Sequence, residues 1–159
     1  MQNTSGIVGL LFSYQGRINR AKYWTAVLIY LAISIVIAAV GFIMLGNSIL
    51  ELADDAADDG VIVGLLSKGI GFFLLVLVIY IPLVVSSVFV GIKRLHDRDK
   101  SGWWLLVFYL LPTVLNELSG ISSLLAFVSV AITIWAIVEL GCLRGTQGPN
   151  KYGPDPLAS

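Results

Sequence analysis

The sequence predicts an all-α integral membrane protein, a bundle of four transmembrane helices with both termini cytoplasmic. Three observations carry that prediction: an apolar composition, four apolar runs of near-spanning length, and a one-sided distribution of Lys and Arg. Of 159 residues, 57% are hydrophobic and 13% charged, and the mean hydropathy is +0.90, whereas about a quarter of a soluble domain is charged. Three runs, 24–45, 70–92 and 121–143, supply the roughly 20 residues that a helix needs to cross a hydrocarbon core. The fourth, Trp103–Leu115, rises only about 20 Å as a helix. It spans if Asn116, Glu117 and Leu118 extend it to 103–118, and a shallow or re-entrant element is the alternative.

Charge sorting decides between three crossings and four, because short loops keep Lys and Arg on the cytoplasmic side. With four, nine of the ten basic residues share that side: Arg17, Arg20 and Lys22; Lys93, Arg94, Arg98 and Lys100; Arg144 and Lys151. The opposite side receives Lys68 together with Glu51, Asp54, Asp55, Asp58, Asp59 and Glu117. The chain then reads as one membrane domain over 1–159. It has a cytoplasmic interfacial segment (1–23), spans at 24–45, 70–92, 103–118 and 121–143, an acidic external loop (46–69) and a cytoplasmic tail (144–159). The first sixteen residues carry no basic side chain and no cleavage pattern, so the first span is expected to direct insertion itself.

Residues 5–15 are apolar but too short to cross, which suits an interfacial helix or a packing segment. In the acidic loop, Asp54, Asp55, Asp58 and Asp59 lack the alternating ligands and closing Glu of an EF-hand, so a solvated loop is expected rather than a metal site. Pro82 removes one backbone donor from the second span, as a hinge or as packing. Ser122, Ala126, Ser129, Thr133 and Ala136 form a small-residue stripe, which predicts close helix packing. Glu139 lies one turn from the cytoplasmic end of the last span, where pairing with Arg144, Lys93 or Arg94 is favoured over an ion relay that would need a second buried ionisable group. Cys142 stands alone, so no internal disulfide is available.

Three polar motifs then face the cytoplasm: "FSYQGRINRAKYW" (12–24), "IKRLHDRDKSGWW" (92–104) and "GTQGPNKYGPDP" (145–156). Helix-end chemistry explains much of the second. Lys93 and Arg94 favour the negative end of a helix dipole, Ser101 or Asp99 can cap the next helix, and Trp103 and Trp104 suit the headgroup level. The glycines and prolines of the third rule out a continued helix and predict a turn-rich tail, either folded back or frayed.

In order along the chain, Gly16, Arg17, Arg20, Tyr23 and Trp24; Arg94, Leu95, His96, Asp97, Ser101, Gly102, Trp103 and Trp104; and Gly145, Gly148, Asn150, Tyr152, Gly153, Asp155 and Pro156 carry a resemblance. Over about residues 12–156 the chain resembles the bacterial inner-membrane family catalogued as domain of unknown function 805. The resemblance implies about four membrane helices and a bacterial plasma (inner) membrane location, and it implies no reaction. Lys93 stands where the family often has a second Arg, and the acidic loop looks longer than usual.

Three function classes follow. A non-enzymatic binding or organising module would use its basic face on anionic membrane lipids or a protein partner, since each juxtamembrane base adds about 1 kcal/mol near an anionic surface. The residues proposed for that contact are Arg17, Arg20, Arg94, His96, Asp97, Arg98, Lys100, Trp103, Asn150, Tyr152 and Asp155. Within the same platform, Arg17 and Arg20 are expected to meet Asp97, Asp99 or Asp155. Topology alone also accounts for the bases.

A homo-oligomeric channel or transporter is the alternative, against which no span offers a polar row or an inverted repeat. A lipid-phosphate enzyme would use His96 as base or nucleophile with Asp97 or Asp99 orienting it, but neighbouring residues on a helix do not face one another. No cofactor, metal or nucleic-acid partner is expected.

Overall fold

The computed structural model describes residues 6–54 and 59–158. The regular elements among them are helical: α1 (Ile7–Phe12), α2 (Arg20–Asp54), α3 (Asp59–Asp97), α4 (Leu111–Glu117) and α5 (Ser123–Ile137). A π-helical turn, Leu106–Leu110, leads into α4, and a 3-10 turn, Leu118–Gly120, follows it. α5 runs on into a second π-helical turn, Val138–Cys142. Among the described residues three helices are long and apolar enough to cross a membrane, Arg20–Asn47, Gly60–Asp97 and Ser123–Cys142, while Leu106–Gly120 is a shorter apolar one.

Two boundaries differ from the apolar windows. The stretch 46–69, expected as an acidic loop, is helical over 46–54 and 59–69. Leu and Ala are good helix formers, no Pro interrupts the stretch, and a helix continues outside an apolar environment when its residues favour it. Asp55 and Asp58 lie outside the described residues. At the other end α3 does not stop near residue 92 but reaches Asp97. It ends in a Schellman motif: Lys100 N–H donates to Leu95 O at 2.9 Å and Asp99 N–H to His96 O at 3.1 Å. Asp99 takes the left-handed position with φ 56°, a conformation that Asp tolerates better than most residues. Asp99 therefore closes α3 rather than capping the helix that follows.

The chain divides into two compact units. One is Leu28–Val84, the adjoining parts of α2 and α3. Inside it Phe72 packs its ring tip against Gly41, and Tyr80 Oη lies 3.3 Å from Ser34 Oγ. Its large apolar side chains are mostly exposed, Phe42 by 81% and Val78 by 71%, as suits a surface solvated by lipid. α3 passes through Pro82 without a break.

The other unit is Met1–Val27 with Val85–Ser159. Its core joins Leu95 of α3, Leu105 and Phe108 ahead of α4, and Ala136 and Leu140 of the last helix. Trp135 meets Phe108 edge-on at 5.1 Å and Trp104 edge-on at 5.6 Å, the preferred aromatic geometry. Ser129 of the small-residue stripe is buried and donates to Pro112 O at 2.9 Å, which draws α5 close to α4. Pro112 lacks the N–H that a regular helix would use and crowds the preceding turn, which accounts for the π-helical opening ahead of it.

Candidate functional site

A helix C-terminus leaves up to four carbonyls without intrahelical partners. In the second unit, side chains from the polar motifs answer that need. At the end of α5 and its π-helical turn, Arg94 Nε donates to Leu140 O at 2.6 Å and Arg94 Nη2 to Leu143 O. Trp24 Nε1 donates to Gly141 O at 3.1 Å and Arg20 Nη1 to Cys142 O at 2.9 Å. Lys93 and Ser86 perform the same service for α1. Lys93 Nζ donates to Gly9 O at 3.0 Å and to Leu10 O, and Ser86 Oγ to Leu11 O at 2.8 Å. Cations at helix C-termini are also favoured by the helix dipole.

Asp97 is the centre of the arrangement. One carboxylate oxygen, Oδ1, accepts from Arg17 Nε at 3.2 Å and Nη2 at 3.1 Å. The other, Oδ2, accepts from Arg94 Nη1. The three side chains are almost wholly buried, with 1%, 0% and 4% exposed for Arg17, Arg94 and Asp97. A buried carboxylate between two guanidinium groups leaves one positive charge over, and carbonyl oxygens surround it. Arg17 also donates to Thr146 O at 2.6 Å, Gly148 O at 2.8 Å and Gly153 O at 3.3 Å, so all five of its N–H donors are engaged.

The tail is built around that guanidinium. Gly148 and Gly153, with φ 74° and 139°, turn their carbonyls onto Arg17 in conformations that a side chain would resist. Thr146 N–H donates to Asp97 O at 2.8 Å. Asn150 Nδ2 donates to His96 O at 2.9 Å and to Thr146 Oγ1 at 3.0 Å. Gly145 lies so close to Asp97 that a β-carbon there would overlap its carboxylate. His96 and Tyr152 stack at 3.8 Å with rings 4° from parallel. The His96 Nδ1 is buried and has no hydrogen-bond partner.

The sequence-predicted residues thus separate into three groups. Arg17, Arg94, Asp97, His96, Asn150 and Tyr152 come together in one interlocked cluster. Arg98 and Lys100 pair instead with Glu139, at 3.0 Å and 2.9 Å; these, not Arg144, Lys93 or Arg94, are its partners. Arg20 and Asp155 line a cleft of about 440 Å³ with Arg144, Trp24 and Thr146, while Trp103 is 76% exposed.

Of the carboxylates expected to meet Arg17 and Arg20, only Asp97 does so, with Arg17. Asp99 faces Lys151 at 3.7 Å. Asp155 accepts N–H groups of Leu157 at 2.9 Å and Gly148 at 3.0 Å, which hold its carboxyl below the usual range. His96 and Asp97 sit in successive positions of α3 and address different partners, which is the helix geometry that separates neighbouring side chains. Lys93, Thr146 and Gly145 were missed as anchors. The signal the sequence offers is the position of Thr146 among closely spaced glycines.

Among the described residues no three of His, Cys, Asp and Glu are grouped to hold a metal ion. A family model described as a protein of unknown function, DUF805, matches residues 11–154. The uncharacterized protein YiiR of Escherichia coli (strain K12) is 30% identical over 151 residues, covering 91% of this chain and 86% of that one. Two inner membrane proteins of the same strain are also similar. YhaH is 26% identical, with 90% of this chain and 86% of the relative covered, and YhaI is 28% identical, with 90% and 85% covered. No solved structure matches the chain.

Proposed function

The chain belongs to the DUF805 family of proteins of unknown function, and on that premise we propose that it is a non-enzymatic, membrane-embedded binding or organising module. Its helices cross the inner membrane four times, both termini are cytoplasmic, and the basic cytoplasmic face meets anionic lipid headgroups. One observation carries this reading: the basic residues divide into a buried set whose donors are spent and an exposed set that keeps donors to spare, even where Arg20 meets Cys142 O and Lys151 meets Asp99. Arg17 and Arg94 spend their donors on Asp97 and on backbone carbonyls, so they hold the face together and do not contact lipid. Arg20, Lys22, Arg144 and Lys151 are exposed around that cluster. Trp24 and the exposed Trp103 suit the headgroup level.

Each exposed base would add about 1 kcal/mol of attraction to an anionic surface. Replacing Arg20, Lys22 and Arg144 together by Gln should therefore strip most retained phosphatidylglycerol from protein purified in mild detergent, as read by native mass spectrometry. Unchanged retention would sink the headgroup reading, and a defined lipid-free oligomer in the same spectra would favour a pore or scaffold. Cysteine accessibility at Lys22, Asp99 and Lys151 positions tests the topology, which fails if the three label from different sides.

A further inference from the structure

The cleft lined by Arg20, Arg144 and Asp155 points to a more selective ligand than a generic anion. Four charged side chains line it; Asp97 is spent on Arg17 and Arg94, and the other three keep capacity to spare. Arg20 commits only Nη1, to Cys142 O at 2.9 Å. Among the described residues no hydrogen bond or ion pair engages the Arg144 guanidinium, although its own carbonyl accepts from Arg98. Asp155 takes one backbone N–H on each oxygen and forms no salt bridge among the described residues, which leaves a lone pair on each oxygen open. Elsewhere in this unit the picture is the reverse, since Arg17, Arg94, Asp97 and Glu139 are paired and buried.

A bare phosphate would suit the two arginines and be repelled by Asp155. A ligand bearing both a phosphate and a primary ammonium satisfies all three. We infer that this cleft binds the phosphoethanolamine zwitterion, with the phosphate on Arg20 and Arg144 and the ammonium donating to Asp155. Guanidinium groups grip phosphate oxygens with paired donors, and charge-assisted hydrogen bonds are about twice as strong as neutral ones. The first turn of α2, capped where Lys22 N–H donates to Asn19 Oδ1 at 2.9 Å, adds the positive end of a helix dipole on the phosphate side.

The volume, about 440 Å³, falls within the roughly 300–1,000 Å³ of small-molecule sites. Trp24 lines the cleft at the start of an apolar run, so it opens where lipid headgroups lie. The inference rests on the headgroup reading above, since it keeps a lipid phosphate on the same bases, and it adds the Asp155 carboxylate that a purely anionic headgroup leaves unused.

The test changes the ligand first and then one side chain. Full-length protein in mixed micelles is offered phosphatidylethanolamine, phosphatidylcholine and phosphatidylglycerol with identical acyl chains, and bound lipid is counted by native mass spectrometry. The ethanolamine lipid should be retained about tenfold over the choline lipid, whose quaternary nitrogen cannot donate a hydrogen bond to Asp155. Asp155→Asn should erase that preference while phosphatidylglycerol retention holds or rises.

Equal retention of the ethanolamine and choline lipids by the wild-type chain would overturn the inference. If phosphatidylglycerol still depended on Arg20 and Arg144, the broader headgroup reading would survive that failure. Glycerophosphoethanolamine without acyl chains separates the two sources of this chemistry. Displacement of the bound lipid by it supports the headgroup site, whereas binding of the soluble compound with none of the lipid would overturn the lipid source.

Discussion

The unit Leu28–Val84 and the unit formed by Met1–Val27 with Val85–Ser159 each include part of α2 and of α3, yet they are held by opposite chemistry. In the first, the contacts between the two helices include an aromatic ring against a glycine and a 3.3 Å hydroxyl pair between Tyr80 and Ser34. In the second, two guanidinium groups share one carboxylate and donate to five carbonyls drawn from the tail and from the last helix. An apolar face solvated by lipid accepts many side chains of similar volume. A buried charge cluster accepts almost none, because removing one partner strands the other. The three polar motifs fall in the second unit, where their side chains hold one another in place.

The largest effect should come from Asp97→Ala, which leaves two buried guanidinium groups facing each other with no carboxylate between them. Breaking a buried ion pair costs about 3–5 kcal/mol, so the variant should unfold far below wild type in detergent, or fail to accumulate. Asp97→Asn keeps the shape and removes the charge, so it should fall nearly as far. A loss under about 1 kcal/mol for both would mean that the cluster is not what holds this unit together.

Gly145→Ala probes the same cluster through sterics. The new β-carbon would overlap the Asp97 carboxylate, and that carboxylate cannot yield because Arg17 and Arg94 hold it from two sides. Overpacking of this kind costs about 1–3 kcal/mol. The tail should detach before the unit melts, seen as faster proteolysis within residues 146–158 at a temperature where the helices persist.

How much of this was legible in the sequence follows the same division. The apolar runs located α2, α3 and α5, because a 20-residue apolar helix announces itself by composition alone. Their ends were not located: 46–54 and 59–69 are helical although they carry Glu51, Asp54, Asp59 and Lys68, and α3 continues through Lys93 and Arg94 to Asp97. Polar residues stop a membrane span without stopping a helix. At the site, charge sorting put Arg17 and Arg20 on one side with Asp97, Asp99 and Asp155 and did not choose among those carboxylates; the structure selects Arg17 with Asp97. Charge sorting could not foresee Lys93 on α1 or Arg94 on Leu140 and Leu143. Those partners are backbone carbonyls, and every residue in the chain has one, so the sequence holds no mark of which will be left unpaired at a helix end. Arg94 consequently read as a lipid-facing base when its donors are already committed.

The smallest effect is expected from the same substitution made in the other unit. At Gly41 a β-carbon would lie 2.6 Å from Phe72 Cζ, a clash on paper comparable to that at Gly145. The obstructing atom here is the tip of a ring with no hydrogen bond to lose, and a modest χ rotation moves it into space that lipid otherwise fills. Replacing a mid-helix glycine by Ala also restores about 0.5–1 kcal/mol of backbone entropy, which offsets the displaced ring. Gly41→Ala should therefore change the unfolding midpoint little, within about 1 kcal/mol of wild type in either direction. A loss at Gly41 as large as at Gly145 would show that the apolar unit is as tightly specified as the polar one. The contrast would then lie in how the two regions are stabilised, and not in how much variation each tolerates.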